Sequence, residues 1–220
     1  MRKYYPVFLD IEGRKCVVVG GGEVAARKAK SLVEAGGAVK VVSPEFCSRL
    51  SNLAKRGSVV LVRRRFEAQD LYGASVVIAC TDDREVNEKV FAAARKKRIL
   101  VNVVDSPAQC DFIVPSVVSR GALSIAISTS GVSPALARRM RQELQKRYGQ
   151  RHADFLTLME KARERIVREV LGSKERRRMF KALTSRDFLA EFVAKGKSEA
   201  RKFFQENVKE LLEKGLGKRV

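Results

Sequence analysis

Apolar and polar positions follow two distinct rhythms along this chain. Cys16-Val17-Val18-Val19 is a short unbroken apolar run that stops at Gly20-Gly21-Gly22. Beyond it Val24, Ala25, Ala29, Leu32 and Val33 recur at helical spacing as far as Gly36-Gly37. The pattern predicts a strand, a glycine turn and a helix, with glycine ending the helix. Val39-Lys40-Val41-Val42 predicts a second strand closed by Ser43-Pro44. A short helix over 48–56 and a third strand over 59–62 follow. Positions 74–80 form a fourth strand, apolar enough to be buried on both faces, as parallel strands are. A helix over 84–97 and a fifth strand over 99–104 complete the series. Strands alternating with helices specify an α/β, doubly wound, Rossmann-like parallel sheet.

The rhythm changes after Asp111. Positions 112–119 and 122–128 predict two strands joined at Arg120-Gly121, a β-hairpin. Ser133-Pro134 then opens a helix that runs to about Tyr148, with Ser at the N-cap and Pro in the first turn. From Arg151 onward the pattern is wholly helical, broken near Gly172-Ser173, Thr184-Ser185 and Gly196. The expected organisation is a dinucleotide-type domain over 1–113, a hairpin-plus-helix module over 114–150 and an all-helical C-terminal domain over 151–220.

Composition narrows the class. A 220-residue chain with 45% hydrophobic and 32% charged residues reads as globular rather than disordered. No apolar run approaches a membrane span, and Met1 to Pro6 lacks the apolar core of a secretory signal, so a cytoplasmic protein with no membrane partner is expected. Cys16, Cys47, Cys80 and Cys110 lie far apart without a C-x-x-C pair, which suggests neither a zinc site nor a disulfide framework. Cys16 and Cys80 sit in apolar runs and read as plain core residues. The net charge of +20 attracts polyanions, whether nucleic acid, anionic membrane or a multiply charged small molecule. A surface merely rich in Lys and Arg would account for much of it.

Gly20-x-Gly22-x-x-Ala25 fits the dinucleotide fingerprint. Gly20 permits the tight turn, Gly22 lets backbone approach a pyrophosphate, and Ala25 lets helix and strand pack closely. The helix that starts near Glu23 aims free N–H groups at the phosphates. The acidic residue expected after the second strand is replaced by Ser43-Pro44-Glu45, where Glu45 lies slightly late. No Arg follows immediately to hold a 2′-phosphate, which favours NAD over NADP.

Ligands of open α/β sheets bind at the carboxyl ends of the strands. The fourth strand ends in Thr81-Asp82-Asp83 and the fifth in Asn102-Val103-Val104-Asp105. Asp105 is placed to take a proton as hydride leaves a substrate for NAD. It is equally placed to form a turn by bonding its own backbone. Asp82 and Asp83 are weaker candidates for that role, since an Asp before a helix often serves only as its cap, and Thr81 and Asp82 are expected on the cofactor side. Ser128, Thr129, Ser130 and Ser133, with Arg138 on the helix that follows, gather donors suited to carboxylate or phosphate groups. A capped helix with a solvated basic face is the plainer alternative.

These motifs together resemble the precorrin-2 dehydrogenase family, which includes the amino-terminal module of siroheme synthase. The resemblance runs over residues 4–150. It rests on Tyr5-Pro6-Val7-Phe8-Leu9, on Gly20-Gly21-Gly22-Glu23-Val24-Ala25-Ala26-Arg27-Lys28, and on Thr81-Asp82-Asp83 with Val86-Asn87. It continues through Asn102-Val103-Val104-Asp105, Phe112-Ile113-Val114-Pro115-Ser116 and Ser130-Gly131-Val132-Ser133-Pro134-Ala135-Leu136-Ala137-Arg138. It implies NAD-dependent oxidation of precorrin-2 to sirohydrochlorin in siroheme biosynthesis, with iron insertion left open. It also implies a homodimer formed through the middle module. The family's key aspartate falls on Asp105, and its cofactor residues on Gly20, Gly22, Glu23, Val24, Pro44 and Glu45. In one branch of the family the loop matching Ser128 and Thr129 is phosphorylated; Thr129 stands there in this chain. The substrate's many carboxylates suit a strongly basic host.

Two rivals stand beside this reading. One is an NAD-binding regulatory module without catalysis, which has no need of Asp105. The other is a nucleic-acid-binding protein. Aromatics at 7%, no tryptophan and no recognition-helix motif argue against the second. His152, the only histidine, lies outside these motifs and reads as a surface residue.

Overall fold

The computed structural model describes residues 3–216. The chain divides into two compact units, with the boundary between Val114 and Pro115. In the first, β1 (Lys15–Val19), β2 (Ala38–Val42), β3 (Val59–Val62), β4 (Ala74–Ala79) and β5 (Leu100–Val103) form one sheet. Its order is β3-β2-β1-β4-β5, with every neighbouring pair parallel. Helices α1 (Glu23–Glu34), α2 (Ser48–Lys55) and α3 (Arg84–Lys97) connect the strands. The sheet is apolar on both faces because both are covered. Ala25, Ala29 and Leu50 pack with Cys16, Val18, Val41 and Ile78 on one side. Val90 and Ala94 of α3 pack with Val17, Val19, Val77 and Val101 on the other. The reversal of strand order around β1 and β4 opens a crevice at their carboxyl ends.

A charged knot ties β2 to the segment between β3 and β4. Asp70 is 1% exposed and sits in the 3-10 turn Ala68–Leu71. It accepts from Lys40 Nζ at 2.7 Å, Arg64 Nη2 at 2.8 Å and the Glu67 N–H at 3.0 Å. A buried carboxylate is tolerable only with its oxygens satisfied in this way.

The second unit starts with the antiparallel hairpin β6 (Ser116–Arg120) and β7 (Leu123–Ile127). Residues 112–115 are not strand: the Phe112 carbonyl is taken by Asn102, and Pro115 has no N–H to give a ladder. Ala137 of α4 (Pro134–Arg147) packs on Val118 and Ile127. Helices α5 (Gln150–Glu169), α6 (Ser173–Leu183), α7 (Arg186–Ala194) and α8 (Lys197–Leu216) enclose an aromatic core of Phe155, Phe188, Phe192 and Phe204. The three helix breaks fall where glycine and capping Ser residues forecast them. No helix among the described residues is long and apolar enough to cross a membrane. His152 is half-buried rather than on the surface. Its ring meets Tyr148 edge-on at 5.1 Å, and Nδ1 is sealed without a hydrogen-bond partner.

Candidate active site

A cleft of about 690 Å³ lies over the carboxyl ends of β1, β2 and β4. Its volume suits a cofactor-sized ligand. Gly20, Gly22, Glu23, Val24, Pro44, Glu45, Thr81 and Asp82 all line it. Ala25 does not; it is buried beneath, where a larger side chain would force α1 off the sheet.

The backbone shapes the floor. Gly20 has φ +131°, and a Cβ there would lie 2.7 Å from the Cys80 carbonyl oxygen. At Gly21 a Cβ would lie 1.7 Å from the Glu45 carbonyl oxygen. The middle glycine, which the fingerprint leaves free, is therefore the one with least room. It is fixed by a partner from after β2, since Cys47 N–H also donates to the Gly21 carbonyl at 2.8 Å. A Cβ on Gly22 would meet nothing within 4 Å. The space above Gly22 is the cleft itself. No side chain caps α1, so its first N–H groups stay available to an anion. Open backbone, free N–H groups and a roomy cleft together fit a dinucleotide.

The rims are built from residues that the fingerprint does not name. Asn87 donates to the Thr81 carbonyl at 2.9 Å and accepts from the Thr81 hydroxyl at 3.2 Å, which fixes the exit of β4. Asp83 is the N-cap of α3, accepting from Val86 N–H at 3.1 Å. Arg65, just past β3, also lines the cleft. Arg63 donates to the Pro44 carbonyl at 3.3 Å and lies over the Phe46 ring. Sequence inspection behind β2 alone misses these arginines because they arrive from the next strand. Cys80 is half-buried: it packs against the core beneath α1 and also lines the cleft. Burial pushes its thiol up to about 12, against the pull of Lys28 and Arg27.

Asp105 stands beside this cleft, outside its lining. The register pairs Ala79 with Val103, and Val104 N–H donates to the Ala79 carbonyl at 2.9 Å. Cys80-Thr81 and Val104-Asp105 therefore leave the sheet side by side. Asp105 is exposed and has φ 60°, a left-handed conformation uncommon outside glycine. Its carboxylate makes no hydrogen bond or ion pair among the described residues, so it does not form the self-bonded turn weighed above. An unspent carboxylate on a constrained turn is a feature associated with working sites.

The hydroxyl loop belongs to the second unit. Ser128 Oγ accepts from Ser130 N–H at 3.0 Å, Thr129 Oγ1 from Ser133 N–H at 3.1 Å and Ser133 Oγ from Leu136 N–H at 3.3 Å. Each oxygen is used locally, while each hydroxyl proton remains free to donate outward. Ser130 also has positive φ, at 53°. Arg138 and Arg139 are both exposed; Arg139 pairs with Glu143, whereas Arg138 makes no ion pair among the described residues.

The first unit is thus a dinucleotide-binding domain of the Rossmann class. The pattern of a family described as NAD(P)-binding covers residues 7–116, and that of a second, described as the central part of a sirohaem biosynthesis protein, covers 120–147. The chain belongs to this NAD(P)-binding family. It is 39% identical over 195 residues to siroheme synthase 3 of Aeromonas hydrophila, covering 89% of this chain and 42% of that one. It is 41% identical over 174 residues to siroheme synthase of Photorhabdus laumondii, covering 79% of this chain and 37% of that one. This chain therefore spans about two fifths of the length of these relatives. The solved structure of SirC, precorrin-2 dehydrogenase, superposes with a TM-score of 0.76 at 27% identity, covering 94% of this chain and all of that one.

Proposed function

We propose that this chain oxidises precorrin-2 to sirohydrochlorin with NAD, in the cytoplasm. The observation that carries the reading is the free Asp105 carboxylate beside the dinucleotide cleft. Bound in that cleft, NAD supplies the acceptor for a hydride. The glycine floor and the α1 N–H groups bind and orient its pyrophosphate, and the Thr81–Asn87 pair keeps the β4 rim in place. Asp105 receives the proton that leaves the substrate as the hydride departs, so the substrate loses two electrons and two hydrogens in all. Positioning carries much of the rate, because the product gains conjugation.

Ser128, Thr129, Ser130, Ser133 and Arg138 suit the carboxylate arms of such a substrate through their free hydroxyl protons and guanidinium. We assign residues 1–113 to the cofactor, 114–150 to dimerisation and 151–220 to the helical domain. The homodimer is supported by Val132, Leu136 and Met140, which are 71%, 49% and 40% exposed and share one side of α4 and its approach. Leu136→Glu should then turn a dimer into a monomer by light scattering.

The test is an anaerobic assay of the full chain with precorrin-2 and NAD, following NADH and product absorbance. Asp105→Ala should keep NAD affinity and lose turnover by a hundredfold or more, on the order expected for a proton-transfer group. Full activity in that variant removes Asp105 from its role. NAD binding with no turnover in the unaltered chain supports the regulatory module instead. Adding ferrous ion to the product asks separately whether iron is inserted.

A further inference from the structure

Helix α1 lays Ala25, Ala29 and Leu32 against the sheet. These are positions i, i+4 and i+7 of one stripe, and Lys28 occupies i+3 of the same stripe. A lysine among alanines on a packed face needs an explanation. The cluster that receives the stripe also holds Cys80, Val104 and Phe112, so the helix face looks toward the segment that carries Asp105.

The three half-buried lysines of the first unit invite comparison. Lys15 donates to the Tyr72 carbonyl at 2.5 Å, and Lys40 pairs with Asp70 at 2.7 Å. Lys28 has no hydrogen-bond or ion-pair partner among the described residues. Burial lowers its ammonium below the usual lysine range, and Arg27 acts in the same sense. The Asp105 carboxylate acts the other way, favouring the charged form. Asp105 is thus near enough to be felt and too far to close a bridge. A cation that has lost part of its water and gained no counter-charge is poised for an anion.

We propose that Lys28 is a substrate-anchoring residue, which holds one carboxylate of the tetrapyrrole on the Asp105 side of the crevice. The proposal rests on the precorrin-2 reading above and extends it to one named contact. It also explains why a lysine persists on an apolar stripe: in the absence of substrate it weakens the fold, and with substrate its charge is matched.

The experiment compares the unaltered full chain with Lys28→Met and Lys28→Arg. Thermal unfolding, NAD affinity by calorimetry, and kcat and KM for precorrin-2 are measured for each. Lys28→Met should be at least as stable as the unaltered chain, since it replaces an unpartnered charge with an apolar side chain of similar length. NAD affinity should stay within twofold. KM should rise ten- to a hundredfold, as loss of a charge-assisted contact implies, while kcat stays within about threefold. Lys28→Arg should recover most of the KM. An unchanged KM in Lys28→Met, a fall in kcat alone, or an equal loss of NAD affinity overturns the anchoring role and leaves the precorrin-2 reading standing. A lack of turnover in the unaltered chain overturns both.

Discussion

Asn102 donates its side-chain amide to the Phe112 carbonyl at 2.9 Å, and so ties the end of the Asp105 loop back to the strand from which that loop departs. Asn102 is only 8% exposed. The Asp111 carboxylate adds a second tie, accepting from Val101 N–H at 3.1 Å while paired with Arg95 at 2.8 Å. The left-handed turn at Asp105 is thus closed at its base. Asn102→Ala leaves a carbonyl of the loop unpaired, at a cost of about 1–3 kcal/mol in denaturant unfolding. Turnover should fall with it, and NAD affinity should hold, because the cleft lining does not include this loop.

Neighbouring glycines should respond in opposite ways. Gly21→Ala drives a methyl group into the Glu45 carbonyl, so the backbone after β2 must move. We expect more than about 3 kcal/mol of destabilisation, beyond ordinary overpacking, and loss of NAD binding. Gly22→Ala meets no protein atom, so the fold should keep its stability to within about 1 kcal/mol. Its methyl group enters the space left for the pyrophosphate, and NAD should bind at least tenfold more weakly. Unfolding curves and calorimetric titrations on both variants check the contrast.

The charged knot at Asp70 sets an acid limit on the first unit. Burial raises this carboxyl, but Arg64, Lys40 and the Glu67 N–H outweigh it and hold it at about 2. The folded value lies below the unfolded one, so the knot's contribution is complete above about pH 4. It drains away as pH falls toward 2. The shift corresponds to about 2 kcal/mol. Asp70→Asn should flatten the stability curve across that window. At neutral pH it should cost about 3 kcal/mol by leaving Lys40 and Arg64 without their counter-charge.

Cys80 lines a cofactor cleft, yet its sulfur is expected to be inert. With the thiol raised to about 12, almost none is ionised at pH 8. Iodoacetamide at that pH should leave Cys80 unmodified in the native chain and label it after denaturation, as read by peptide mass spectrometry. Fast labelling of native protein would show an ionised sulfur and a wrong account of its surroundings.

Much of the first unit is legible in the sequence because its signals are local. The apolar runs of β1 and β4 mark a sheet covered on both faces, and Gly20, Gly22 and Ala25 act within one turn of chain. What escapes depends on contacts distant in sequence. The need for glycine at 21 is set by Glu45, the β4 rim by Asn87, and the far wall of the cleft by Arg65. Lys28 is visible as a lysine on an apolar stripe, but its lack of a partner appears only when β4 and β5 are folded beside it. Cys80 reads as core and does pack there, but because the strand ends one residue earlier it also lines the cleft, which its apolar neighbours do not announce. The hairpin begins later than its apolar run suggests because Asn102 claims the Phe112 carbonyl first.

Every residue that lines the dinucleotide cleft falls between Val19 and Val86. The whole cofactor pocket is therefore written in one uninterrupted stretch of chain. Substitutions downstream of that stretch leave every lining residue unchanged, whereas Lys28, which lies inside it, has to answer to cofactor and substrate at once.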